Sequence, residues 1–318
     1  MRKETLLSFL AGAVLPLALT AVFHQKPTVE DVERGSPTPT VIQTGFDEKV
    51  ELTVKNRAGN LRQMPMDDYL AGVVLAEMPA DFEPEALKAQ AVVARTYTCK
   101  RMEGSKHGEA AVCMDSGCCQ SWRSPEEYLA EGGRQSAVDK VRQAVADTDG
   151  LVLCYQGKLI DATYFSCSGG STEDAVAVWG QDVPYLQAVE SPGEEAAPRF
   201  TDSVAFSAGE FAAKLGLTAG GDPADWFGAV TYTAGGGVDT MTVKGTVFTG
   251  VRLRSALGLR STAFEIRVSG DTISVTTRGF GHRVGMSQYG AQAMALGGST
   301  CPEILAHYYT GTELTSQN

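Results

Sequence analysis

The apolar positions near the start of the chain do not alternate. Residues 5–23 (TLLSFLAGAVLPLALTAVF) hold no charge and follow Met1-Arg2-Lys3-Glu4. At 1.5 Å per residue this run reaches about 28 Å, roughly the hydrocarbon thickness of a bilayer. It is longer than a signal-peptide core, and no clean small-x-small cleavage site follows it. It predicts an uncleaved signal anchor at 5–23, with a cytoplasmic tip at 1–4 set by Arg2 and Lys3. A cleaved signal peptide is the alternative. Residues 24–46, with Pro27, Pro37 and Pro39, read as an extended linker.

Beyond the linker the period changes several times. Residues 48–56 (EKVELTVKN) alternate as a strand does, and Ala58-Gly59-Asn60 reads as a turn. Residues 66–78 (MDDYLAGVVLAEM) predict a helix, with Asp67 and Asp68 in its first turn and Pro79 as its stop. Pro84 can open a second helix running to about Met102. A polar stretch with cysteines follows to Ser121, and residues 125–148 are again helical in pattern. Residues 150–155 and 158–165 predict two strands joined at Gln156-Gly157. A short helix is expected at 208–216. Strands are expected within 229–253 and 263–278, broken by Gly235-Gly236-Gly237 and by Gly270-Asp271. Helices return at 286–297 and after Cys301-Pro302. The prediction is an α+β fold of helices and antiparallel strands, one compact domain at 47–318.

Charge narrows the function. Asp and Glu number 38 against 27 Lys and Arg, a formal net charge of −11. A nucleic-acid binder needs a basic face, so no nucleic-acid partner is expected. Attachment to anionic lipid by charge alone is disfavoured for the same reason. Hydrophobic residues at 43% can fill a core, which excludes wholesale disorder. Seven cysteines are an odd number, so at least one is free, metal-bound or paired between chains.

One acid interrupts an apolar face. In the 66–78 helix, Tyr69, Leu70, Val73 and Val74 mark one side, and Glu77 falls on it, four residues after Val73. Its neighbours Leu75, Ala76, Met78 and Pro79 bring no opposite charge. Burial there would raise its pKa and keep the carboxyl protonated near neutral pH, as a general acid requires. The plainer reading is an acid at a helix end leaning into solvent. In the next helix Lys88 and Arg95 are seven apart and share a face with Val92. They can hold substrate oxygens or form a solvated stripe.

Three longer blocks carry a resemblance. They are MDDYLAGVVLAEMPADFEPEALKAQAVVARTYT at 66–98, TYFSCSGGSTEDA at 163–175, and GFGHRVGMSQYGAQAMA at 279–295. Val178-Trp179 and Pro184-Tyr185-Leu186 follow the second block. Across residues 66–295 the chain resembles the stage II sporulation protein D family, in particular a clostridial-like member. The resemblance implies a peptidoglycan lytic transglycosylase. It would sit in the mother-cell membrane of a sporulating bacterium by a single span, its catalytic domain extracytoplasmic. Its substrate would be peptide-stripped glycan strands, cut during engulfment of the forespore. Its implied partners are the sporulation amidase that removes the stem peptides and a multispanning sporulation membrane protein. The family's acid falls on Glu77 of the Glu-Met-Pro motif, and its supporting cations on Lys88 and Arg95. Arg283 stands where the family usually has Gly, either to touch glycan or phosphate or to point outward.

Glycoside cleavage normally uses two carboxylates. A lytic transglycosylase can use one, because the sugar's own C6 hydroxyl is the nucleophile and proximity replaces the second group. Asp67, Asp68, Asp81, Glu83 and Glu85 suit helix starts and turns. Any of them facing Glu77 would return ordinary hydrolysis. In the last block His282, Ser287, Gln288 and Tyr289 offer polar groups near a helix start. They read as substrate-binding groups that also orient Glu77, or as a structural glycine-rich turn. The 166–171 loop with Ser168 has the same two readings, and Tyr164 can join the cleft. The alternative function is a non-catalytic peptidoglycan-binding protein that stimulates a partner amidase, as relatives described as amidase enhancers suggest. A zinc hydrolase is a third.

His107, Cys113, Cys118 and Cys119 offer imidazole and thiolate, donors that suit zinc. The spacing His-x5-Cys-x5-Cys resembles a zinc site of some clostridial family members. That implies a structural Zn2+ on His107, Cys113 and Cys119. Adjacent cysteines rarely both ligate one ion, so Cys118 is set aside by spacing. The fourth ligand stays open between water, substrate, Cys118, Cys167 and Cys99. Disulfides are the alternative.

Overall fold

The computed structural model describes residues 45–104 and 106–317. The expected anchor, and all but the end of the linker, lie outside these residues. Among the described residues no helix is long and apolar enough to cross a membrane.

The first elements are α1 (Phe46–Lys49), β1 (Glu51–Lys55), β2 (Leu61–Pro65), α2 (Met66–Glu77), α3 (Pro84–Met102) and β3 (Val112–Cys113). Next come α4 (Pro125–Ala130), α5 (Gln135–Ala146), β4 (Leu151–Tyr155), β5 (Lys158–Leu159), β6 (Tyr164–Phe165) and α6 (Ala175–Trp179). Then follow β7 (Thr201–Ser207), α7 (Ala208–Leu215), β8 (Phe227–Tyr232), β9 (Val238–Val243), β10 (Thr246–Thr249) and α8 (Gly250–Leu257). The last are β11 (Phe264–Ser269), β12 (Thr272–Arg278), β13 (Met286–Ser287), α9 (Gln288–Leu296), α10 (Cys301–Tyr308) and β14 (Glu313–Ser316).

α3 is the axis of the first core. Pro84 starts it, Lys100 and Arg101 favour its C-terminal end, and nearly every position from Ala86 to Thr96 is buried. A helix apolar on all sides belongs inside. α2, α5, α9, α10 and β4 pack around it. The sheets β2-β1-β3 and β14-β4-β5 flank this core. Residues 201–278 gather a second core. Phe211, Phe248, Leu253, Ile273 and Val275 fill it, between α7, α8 and the sheets β11-β12-β7 and β10-β9-β8.

The fold is α+β as expected, with mostly antiparallel pairs. Two short pairs are parallel, β1 with β3 and β6 with β13. The expected 125–148 helix is two helices, broken near Gly132, whose φ is 93°. Residues 158–165 do not form one strand. β5 closes the hairpin with β4, and β6 leaves to pair with β13. Gly285 makes that second pairing feasible: at φ 83°, a Cβ there would sit 2.1 Å from the Thr163 carbonyl oxygen. Residues 250–257 form α8 rather than strand. Thr249 caps it by accepting from the Arg252 amide, and Leu253 and Leu257 face the second core.

Arg283 joins the two cores. It is 1% exposed, so it neither points outward nor touches glycan. Its Nε donates to the Ser168 carbonyl at 2.7 Å and its Nη1 to Glu173 Oε1 at 2.9 Å. Its Nη2 donates to the carbonyls of Ser171 and Gly235, both at 2.7 Å. Glu173 in turn accepts from the Gly237 amide at 3.1 Å and from Thr233 Oγ1 at 2.9 Å. One buried ion pair thus ties the 166–173 loop to the β8–β9 turn. Its backbone φ is 67°, the left-handed region in which Gly is the usual residue.

Candidate active site

The C-terminal end of α2 opens into a cleft of about 490 Å³. Glu77 lies in it with Tyr97, Gln120, Tyr164, Phe280, His282 and Gln288 among the lining residues. Glu77 is the only carboxylate among the described residues that line it. Asp67, Asp68, Asp81, Glu83 and Glu85 are all elsewhere.

Burial pushes the Glu77 carboxyl above its ordinary range. The Ser121 amide works against that rise, donating to Oε1 at 2.6 Å. A side-chain chain of bonds adjoins it. Thr98 Oγ1 gives its proton to the Ala94 carbonyl at 2.8 Å, so it can only accept from Gln120 Nε2, 3.2 Å away. That orients Gln120 Oε1 toward Tyr164, whose hydroxyl donates to it at 3.2 Å. Tyr164 then turns a lone pair to the neighbouring Glu77, which suits a protonated carboxyl. Swung the other way, the same hydroxyl donates to Glu77 and stabilises the carboxylate.

His282 lines the cleft as a neutral ring. Burial, helped by the Arg254 charge, lowers its pKa to about 4. Its Nδ1 accepts from the Val284 amide at 3.1 Å, and the ring also bonds the Tyr164 backbone. Its nitrogens are therefore committed, and the ring positions Tyr164. Gln288, from the first turn of α9, lines the cleft and bonds Gln90.

The other expected substrate-binding residues are not in the cleft. Arg95 is fully buried and faces the other way: Nε donates to Asp47 Oδ1 at 2.8 Å, and Nη1 and Nη2 reach the Leu151 and Val145 carbonyls at 3.2 Å. Lys88 pairs with Glu85 at 2.9 Å and Asp147 at 3.1 Å. Ser168 is fully buried, its hydroxyl and amide both given to Glu194 at 2.9 and 2.6 Å. Ser287 caps α9 by accepting from the Gly290 amide at 3.2 Å. Tyr289 packs edge-on against Phe82, ring centroids 5.0 Å apart. These five hold the scaffold. Arg95→Met is accordingly expected to cost about 3–5 kcal/mol of stability, by leaving Asp47 buried without its cation. A melting curve of the variant beside the parent protein checks this.

The His/Cys cluster adjoins the cleft, since Cys119 also lines it. The ligand atoms of His107, Cys113, Cys118 and Cys119 all lie within 4.8 Å of one another. His107 Nε2 is 3.1 Å from Cys119 Sγ and 3.8 Å from Cys118 Sγ. Bonds of about 2.0–2.3 Å put tetrahedral ligands roughly 3.5–3.8 Å apart, so these side chains fit one metal ion. Both adjacent cysteines reach the centre, so Cys118 is the fourth donor among the open alternatives. Cys99 and Cys167 do not belong to the cluster, and all seven cysteines are free thiols.

The family model for stage II sporulation protein matches residues 54–155. Stage II sporulation protein D of Bacillus subtilis (strain 168) is 39% identical over 96% of this chain and 87% of its own length. That of Bacillus amyloliquefaciens is 40% identical over 80% of this chain and 76% of its own. The chain belongs to the stage II sporulation protein D family. An amidase enhancer of Bacillus subtilis (strain 168) is 30% identical over 78% of this chain, which spans 40% of that longer protein.

The matched family region carries Glu77, Gln120, Ser121 and the His/Cys cluster, whereas Tyr164, Phe280 and His282 come from beyond it. The sequence reading missed Gln120, Ser121, Tyr97 and Phe280. Gln120 and Ser121 follow directly on Cys119, a position that only folding brings to the end of α2.

Proposed function

We propose that this chain is a sporulation lytic transglycosylase that cuts peptide-stripped peptidoglycan strands. The one carboxyl among the described residues that line the cleft, half-buried Glu77, carries the reading. Glu77 gives its proton to the glycosidic oxygen as the C1–O bond breaks. The resulting carboxylate, now receiving the Tyr164 hydroxyl and the Ser121 amide, takes the proton of the sugar's C6 hydroxyl. That oxygen bonds to C1 and leaves a 1,6-anhydro end, and no water is consumed. With no second carboxylate among the described residues that line the cleft, the two-acid hydrolytic arrangement lacks a candidate base there. On this reading the domain works outside the cytoplasm, anchored at 5–23 in the mother-cell membrane, beside an amidase and a multispanning sporulation membrane protein.

The test is product analysis. Full-length protein is incubated with peptide-stripped strands and the ends are read by mass spectrometry. Anhydro ends are the expected result. Reducing ends would make water the nucleophile. Strands bound but uncut would favour the second reading, a wall-binding stimulator of an amidase, which the name of the amidase-enhancer relative supports.

His107, Cys113, Cys118 and Cys119 would hold Zn2+. With four protein ligands its contribution is structural, a cross-link of the segment that leads to Gln120 and Ser121. Cys118→Ser is expected to lower zinc content and melting temperature as much as Cys113→Ser does, measured by elemental analysis and thermal unfolding. Full zinc retention in Cys118→Ser would leave a three-ligand site.

A further inference from the structure

One rim of the cleft is not used by the acid. Phe280 there is 44% exposed and Trp179, nearby, is 43% exposed. The Trp179 ring lies 5.3 Å from His282, and His282 lies 5.5 Å from Phe165. This aromatic ladder runs from the core out to solvent. Open aromatic faces at a cleft mouth suit the apolar faces of sugar rings.

Arg260 covers Phe280, its guanidinium carbon 4.0 Å from the ring centroid. Its own carbonyl accepts from the Gly281 amide at 3.1 Å, which fastens it to the rim. Its guanidinium makes no ion pair and no hydrogen bond among the described residues, and its Nε is buried without a partner. Arg254, in the last turn of α8, is in the same state, close enough to His282 for its charge to be felt there. The contrast within the chain is sharp. Arg95, Arg101, Arg123 and Arg283, also buried or half-buried, each have a carboxylate. Acids outnumber bases by 38 to 27, so partners were not scarce. A half-buried guanidinium with open donors is a site for an anion supplied from outside.

We infer that Arg260, backed by Arg254, receives a substrate carboxylate at this rim, while Phe280 and Trp179 stack the sugar that bears it. On the glycan reading above, on which this rests, that carboxylate is the lactyl group of muramic acid. The group is free only after the stem peptide has been removed. In an intact strand the same carbonyl is a neutral, substituted amide. The subsite therefore reads peptide removal as a charge.

The test uses full-length protein carrying Glu77→Gln, so that strands are not consumed. Three ligands are compared: peptide-stripped strands, the same strands with lactyl carboxyls converted to methylamides, and a chito-oligosaccharide that lacks the lactyl group. Stripped strands are expected to bind about tenfold more tightly than the methylamide strands. Adding Arg254→Gln and Arg260→Gln should remove that preference, stripped and methylamide strands then binding alike. Equal affinity in the parent protein, or a preference that survives the two Gln changes, overturns the inference and leaves the glycan reading intact. Failure to bind any of the three ligands removes the glycan reading and the inference together. If the double change does not fold, Arg260→Lys decides. It keeps the charge without the planar fork and should narrow the preference, and an undiminished preference overturns the assignment.

Discussion

Glu77→Gln is expected to lower strand cleavage by about 10²–10⁴-fold or more while leaving strand binding in place. The amide keeps the shape and the Ser121 contact but has no proton of the right acidity to give. The same variant should behave in the opposite sense in stability. Burial raises the Glu77 pKa in the folded state. The native protein thus favours the protonated acid, and this stabilising preference is full below the unfolded pKa. It is lost as pH rises through the folded pKa. Gln mimics the neutral acid at every pH. Glu77→Gln should therefore melt above wild type at pH 8, with the gap closing toward pH 4. Melting curves at both pH values, beside cleavage assays, check the pair. A variant that melts lower at pH 8 would mean that the native site stabilises the carboxylate, as the Ser121 amide alone would do. The same raised pKa predicts that the alkaline limb of the wild-type rate profile, where Glu77 loses its proton, lies above the range of an ordinary glutamate.

Arg283→Gly is expected to destabilise the fold, although Gly is the residue that the local backbone conformation favours. The left-handed φ of 67° would suit Gly, a gain of about 1 kcal/mol. Against that, Glu173 is 1% exposed and would lose its cation. Breaking a buried pair from one side costs about 3–5 kcal/mol. The deficit wins, by about 2–4 kcal/mol. Adding Glu173→Gln removes the orphaned charge, so the double variant should recover a large part of the loss. A double-mutant cycle by thermal or denaturant unfolding measures this directly. Coupling near zero would mean that the pair does not hold the two cores together. The hub also explains how a chain can carry Arg here. The side chain replaces backbone freedom with bonds to Ser168, Ser171, Gly235 and Glu173.

Helix periodicity placed Glu77 on the apolar side of α2, and in the structure it is half-buried where that helix ends at the cleft. Pro79 and Pro84 likewise marked the ends of α2 and α3 through local stereochemistry. The same reasoning misplaced Arg95. It shares a face with Val92, but that face meets Asp47, Val145 and Leu151, not substrate. Periodicity tells which residues share a face and is silent on what that face meets. Ser168 and Ser287 misled for a related reason: small polar residues in a glycine-rich loop look available, yet here they satisfy Glu194 and a helix N-terminus. Spacing left Cys118 as one of several fourth donors, and folding of the loop brings its thiol, and not that of Cys99 or Cys167, into the cluster.

By itself the sequence determined the α+β class, the two leading helices, the acid at the end of the first and the donor types of the His/Cys cluster. Those features depend on neighbours within a few residues, where periodicity, proline and spacing act. Tertiary structure alone decided that, among the described residues, Glu77 is the one carboxylate lining the cleft, that Gln120 and Tyr164 stand beside it, that Arg283 is a core strut, and that Arg254 and Arg260 lack an ion-pair partner. Each of those depends on groups tens to hundreds of residues apart, which only the packed fold brings within bonding distance or leaves without a partner.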